Sequence, residues 1–377
     1  MLDLNNIAVV DNHCHPILLE QHMDALNFRR YFTEATHPDF AQMHVPHTIY
    51  YLWLLRQLAA FYHCEPDEQT IIALRNTYSA DELLQQYIAA ARIDTLILDF
   101  AYPSPADCYT PERIGQVGGC NVARMLRLET LMERLVVEHD DFDAVSTQFS
   151  AALDNLREQG YCALKSIVAY RTGLAIEQWP KDAAVEAFRV ARETLAQTGM
   201  LRLAHKPLID YLLHIAFAKA AAQHVPLQFH TGYGDSDTDL RLGNPLHLRA
   251  LLEMREYWTM PIVLLHESYP YCQLGAYLAA VYPHVYFDLS YTIPFVEKLE
   301  MLAFTRQAVS VAPASKLMSS SDGIHVPEMY WSGAVRGRRV LADVLQEMIL
   351  QEELDEPQAL HIAQQVLHDT AYRLYNL

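Results

Sequence analysis

The stretch Ile7-Ala8-Val9-Val10-Asp11-Asn12-His13-Cys14-His15-Pro16 decides the fold. It begins as an apolar strand and ends in polar residues. Side chains alternate along a strand, so His13 and His15 share one face and Cys14 takes the other. An open, doubly wound sheet would place a Gly-rich phosphate loop directly after its first strand. Here that place holds His-Cys-His-Pro.

Working outward, seven more β-rich apolar runs follow, at Ile93–Ala101, Met125–Leu131, Cys162–Tyr170, Pro226–Thr231, Pro261–His266, Val285–Leu289 and Lys316–Asp322. Several are nearly continuous, such as TLILDF, PLQFH and PIVLLH, which suits strands covered on both faces. Helical patterns fill the gaps. Ser79 with Glu82 makes a capping box, Gly160 and Gly199 mark helix ends, and Pro245 and Pro270 sit near helix starts. Eight strands alternating with helices predict an α/β fold, a single (β/α)8 TIM barrel over residues 1–377. The first gap is long and reads as helices around 41–64, 67–78 and 79–92. One serves the barrel; the rest form an insertion, about 17–90, expected over the barrel mouth, where long excursions shape substrate pockets. The tail beyond about 338 reads as helical, and its end, AYRLYNL, is expected to pack back on the barrel.

Composition narrows the function. Hydrophobic residues make up 51% of 377, enough for a sizeable core. The net charge of -18, from 46 acidic and 28 basic residues, is spread without a long acidic run. It disfavours nucleic acid and anionic membranes, which call for basic patches. No segment reaches the roughly 18 apolar residues of a membrane span. The acidic N-terminus lacks the pattern of a signal peptide. A cytoplasmic location follows as an expectation. The six cysteines form no CxxC pair, so neither a disulfide framework nor a thiolate zinc site is expected. The partner expected is a small-molecule substrate; a homo-oligomer is compatible with the sequence.

The chemistry lies at strand ends, where barrel active sites form. His13 and His15 can offer two neutral imidazole nitrogens to one divalent ion. His230 ends PLQFH, His266 ends PIVLLH and Asp322 ends KLMSSSD. A closed barrel gathers these ends into a small circle, so their coincidence argues for a metal centre. Asp322 can also act as general base towards a metal-bound water. Lys165, on the fourth strand, would be buried at a large desolvation cost unless paired or chemically changed. Two readings stand: pairing with Glu129, expected on the preceding strand, or carbamylation, which makes an anion able to bridge two ions. Tyr170 and Arg171 follow the same strand. An arginine there suits a substrate carboxylate or phosphate. Of the remaining histidines, His325 is the one near enough to Asp322 to matter.

These residues resemble the amidohydrolase superfamily: HxH after the first strand, Lys after the fourth, His after the fifth and sixth, Asp after the eighth. The chain is most similar to the type 2 amidohydrolase-related family of metal-dependent hydrolases on the TIM-barrel fold. LKSIVAYRTGL, QFHTGYGDSDTDL, LLHESYPY, KLMSSSDG and TAYRLYNL look like the amidohydrolase-like domain fused to glutamine synthetase-like domains. The likeness runs from Asn12 to Leu377 and is weakest over 17–90. It implies that His13, His15 and Asp322 bind the more buried metal and that His230 is a ligand. By the same resemblance, His266 is a second-metal ligand or a substrate-polarising group, and Lys165 sits where two-metal members carry a carbamylated lysine. The expected cofactor is therefore one or two divalent ions, zinc first. The expected reaction is attack of a metal-bound hydroxide on an amide, lactone or ester carbonyl. Its rivals are a one-metal decarboxylase on the same barrel and a catalytically silent scaffold, which would have eroded ligands.

Overall fold

The computed structural model describes residues 2–102 and 105–377. Eight parallel strands pair in chain order: β1 (Val9–Cys14), β2 (Ile93–Asp99), β3 (Asn121–Arg127), β4 (Tyr161–Ser166), β5 (Leu227–Phe229), β6 (Ile262–Leu264), β7 (Val285–Ser290) and β8 (Leu317–Ser320). The ring is drawn together between β8 and β1. Asp322 N–H donates to His13 O at 3.0 Å, His15 N–H to Gly323 O at 2.8 Å, and Ser321 N–H to the Asp11 carboxylate at 2.8 Å. This is a (β/α)8 barrel.

Burial on both faces explains the apolar runs. Val10, Ile97, Met125, Val263 and Met318 fill the barrel interior, while Leu96, Leu164, Phe229, Leu264 and Phe287 pack outward. The interior is closed from below by the last helix, Thr370–Tyr375. The buried Tyr375 hydroxyl donates to Asn12 Oδ1 and accepts from Gln228 Nε2 at 2.8 Å, so the tail does pack back on the barrel.

The third strand corrects the sequence reading. It ends at Arg127, and Leu128–Glu138 is helix. That helix starts without a side-chain cap, and Leu126 and Leu128 alternate with Arg127 and Glu129 as in a strand, so nothing local marks the junction. Glu129 thus lies on a helix rather than on a strand.

Between β1 and β2 the chain forms helices at Ile49–Tyr62, Glu68–Arg75 and Ala80–Ala91, with shorter ones at Ala25–Arg29 and Phe40–Met43. The capping box of Ser79 and Glu82 is present. The insertion is tied to the helix Pro327–Leu350 through fully buried Arg75. Its Nε donates to Glu328 Oε1 at 2.6 Å and its Nη2 to Gln21 Oε1 at 2.7 Å.

Candidate active site

The strands end on one cavity of about 460 Å³, lined among others by His15, Lys165, His230, His266 and Asp322. β1 sets His13 and His15 on one side, their ring centroids 4.9 Å apart. Cys14 faces the other way, with Sγ 3.4 Å from Ile97 O. Three imidazoles converge on one carboxylate. His13 Nε2 and His15 Nε2 each lie 3.5 Å from Asp322 Oδ1, and His266 Nδ1 lies 3.4 Å from Asp322 Oδ2. Ligand atoms of His13, His266 and Asp322 all fall within 4.8 Å of one another.

The electrostatics keep His13, His230 and His266 neutral. Burial, then the nearby Lys165 charge, holds His13 well below its ordinary pKa. The same two causes act on His230. Burial, then His230, acts on His266. Neutral imidazoles are what a divalent ion needs. His13 Nδ1 is buried with no hydrogen-bond partner among the described residues. The donor set, imidazoles facing a single carboxylate, fits a divalent ion.

The other site residues named from the sequence also reach this cavity. The His230 ring lies tilted against His266, centroids 4.5 Å apart, and against Tyr170, 4.3 Å apart. Its Nε2 is 2.7 Å from Tyr233 O, so donation there leaves Nδ1 as the free lone pair. It stands beside the tight group rather than inside it. Lys165 Nζ is 3.2 Å from His13 Nε2. Burial lowers its pKa to about 8, with Asp99 and Asp322 pulling the other way. The Glu129 pairing does not form, because Glu129 accepts instead from Ser166 Oγ at 2.7 Å and Ile167 N–H at 3.0 Å. Tyr170 and Arg171 both line the cavity, as does His325. The His325 ring lies 4.9 Å from that of Tyr31, and burial pushes its pKa down to about 4.

Several functional neighbours escaped the sequence reading. Asp288, inside the apolar run of β7, ties the site together. It accepts from His266 N–H at 3.0 Å, Asn12 Nδ2 at 3.0 Å, Ser290 Oγ at 2.7 Å and Ser320 Oγ at 3.0 Å. A carboxylate in an otherwise apolar strand was the signal available. Asp99 and Arg127 form a fork, Nε and Nη2 donating to one oxygen at 2.9 and 2.6 Å. Arg127 was hidden by the misplaced end of β3. Glu34 enters the cavity from the insertion. Burial, then Asp322 and Asp235, push it up to about 8.

Backbone strain collects here too. His266, Glu267, Ser268, Asp322 and His325 all have φ between 50 and 66°, a conformation that costs non-glycine residues energy and clusters at functional sites. Gly232, at φ 75°, lets the loop after β5 pass the loop after β6. A Cβ there would meet Tyr269 O at 2.3 Å.

Comparison with known proteins agrees. A profile described as amidohydrolase matches residues 105–377. Protein fluG of Emericella nidulans is 32% identical over 244 residues, 63% of this chain, and the match spans 28% of fluG's own length. A solved structure from Lactobacillus casei ATCC 334, assigned as a metal-dependent hydrolase, superposes with TM-score 0.88 at 29% identity, covering 100% of this chain and 98% of that one. The uronate isomerase of Thermotoga maritima shares the fold at TM-score 0.69 and 14% identity, covering 98% and 95% of the two chains. The profile match takes in β3 to β8 with Lys165, His230, His266 and Asp322, and His13 and His15 lie beside Asp322 at the same cavity: the chain belongs to the amidohydrolase family.

Proposed function

We propose that this enzyme hydrolyses an amide, lactone or ester bond of a small molecule, with one divalent ion held by His13, His15, His266 and Asp322 and a second held with the help of His230 and carbamylated Lys165. The observation that carries the reading is the convergence of three imidazole nitrogens on the two Asp322 oxygens, 3.4–3.5 Å away, on one cavity. A divalent ion bound there would lower the pKa of water towards about 7 and polarise the substrate carbonyl.

The chain's own residues do the rest. Asp322 takes the proton of the attacking water on a carboxylate oxygen and returns it to the leaving group. His266, its backbone N–H fixed by Asp288, is held in place as a ligand. Tyr170 and Arg171 hold the substrate, and the insertion, through Glu34 and its neighbours, encloses it. Zinc as the ion and a cytoplasmic location belong to the same proposal; the six unpaired cysteines suit a reducing compartment. Among the described residues no helix is long and apolar enough to cross a membrane.

Decarboxylation with one ion is the second reading, favoured by Lys165 Nζ lying 3.2 Å from His13 Nε2. Carbamylation of Lys165, with two ions, favours hydrolysis. Metal analysis of protein never exposed to chelator, with bicarbonate supplied or withheld during reconstitution, separates them. Two ions per chain, bicarbonate-dependent assembly and turnover of a neutral ester or lactone are expected. One ion, indifference to bicarbonate and carbon dioxide release from a carboxylate substrate would replace hydrolysis by decarboxylation.

A further inference from the structure

Arg171 is a guanidinium whose hydrogen-bonding capacity the fold leaves largely unused. Its side chain is 14% exposed and it lines the cavity. Its Nε is buried with no partner among the described residues. The carboxylate beside it, Glu133, stands 3.5 Å from Nη2, and that same oxygen already accepts Leu203 N–H at 2.9 Å. Glu129, also near, is taken by Ser166 and Ile167. A guanidinium offers five N–H donors in a fixed fork, and burying one without acceptors is costly.

The surroundings add positive charge. Burial lowers the Arg171 pKa; Glu133 and Glu129 act against this, and Arg202 and Arg127 add to it. Arg127 is held by Asp99. Arg202 is held by Asp237 at 3.0 Å and by Tyr170 O at 3.1 Å. Both also line the cavity. One wall, from the end of β3 to the segment between the two helices ahead of β5, therefore presents three guanidinium groups, of which Arg171 has donors to spare. A neutral oxygen would satisfy one N–H; an oxyanion satisfies two at once and offsets the crowded charge. The overall negative charge of the chain does not oppose this, because a cavity wall sets its own local field.

We propose that the substrate carries an oxyanion, a carboxylate or a phosphate, which docks on Arg171 with Arg127 and Arg202 alongside, away from the bond that is cleaved. The inference rests on the hydrolase reading only for what happens at the substrate's other end.

The test is calorimetric titration of the metal-loaded full chain with glutarate and, separately, with inorganic phosphate. Wild type should bind one of the two saturably, and which one it binds names the anion. Arg171→Met should weaken that binding at least about tenfold, the scale of a charged hydrogen bond. Arg171→Lys, which keeps charge without the fork, should fall between. Metal content, measured on each sample, should not change, and thermal melts should report folded protein. Binding of neither anion by wild type, or equal binding by Arg171→Met and wild type, as for an anion held by the metal alone, would overturn the subsite. Anion binding that depends on Arg171 in protein that holds no metal and cleaves no neutral ester would instead sink the hydrolase reading and leave the subsite standing.

Discussion

Asp322 is the residue on which the site turns. Both its oxygens face imidazoles, and its φ of 52° places the carboxylate there. Asparagine tolerates that backbone region better than most residues, so Asp322→Asn should keep the fold while removing the charge and the proton acceptor. Turnover should fall by about 10²–10⁴-fold, the range for loss of a general base, with a melting temperature close to wild type. A variant with full activity on a substrate the wild type cleaves would take Asp322 out of the mechanism. At this scale His13 and His15 were legible, because a two-residue spacing on a strand dictates a shared face. The partner of Lys165 was not, because a strand position gives direction but does not say which side chain from across the barrel meets it.

The insertion docks through a fully buried ion pair, Arg75 with Glu328. It connects the insertion to the helix Pro327–Leu350 with both side chains out of water. Removing one partner strands the other charge. Arg75→Met should therefore cost about 3–5 kcal/mol, whereas Arg75→Met with Glu328→Met should recover most of it. Urea unfolding of the three proteins measures this; a double variant no more stable than Arg75→Met would assign the loss to packing. The insertion's three longer helices were readable from capping and periodicity. Their docking was not, since a lone arginine in EQTIIALR looks like any surface charge until Glu328, some 250 residues later, is beside it.

For the molecule as a whole, stability against pH sums opposing groups. His284, buried with Nδ1 unpartnered among the described residues, has its pKa lowered to about 4, by burial first and then by Lys316. The unfolded chain protonates it near the ordinary 6.5, so its contribution is present above that value and is lost as pH falls towards 4. Asp11 and Asp288 act oppositely. Burial raises them to about 7 and about 6, so the fold takes up their protons first and gains stability as pH falls through that range. Comparison with His284→Asn isolates one member. Between pH 6.5 and 4 wild type should lose about 1 kcal/mol more than the variant, after allowance for a group only partly shielded. Parallel stability curves would show that His284 is hydrated in the fold.

The barrel and the gathering of the candidate residues at its strand ends followed from sequence alone, because apolar runs of strand length alternating with helical patterns leave few topologies, and parallel strands put all their C-terminal ends on one face. What depended on tertiary structure was every relation between residues far apart in the chain: Asp288 fastening His266, the Asp99–Arg127 fork, Glu34 entering from the insertion and the unspent donors of Arg171. Those relations arise when the ring closes and buried polar groups must find partners across it, and local periodicity carries no record of which partner each one finds.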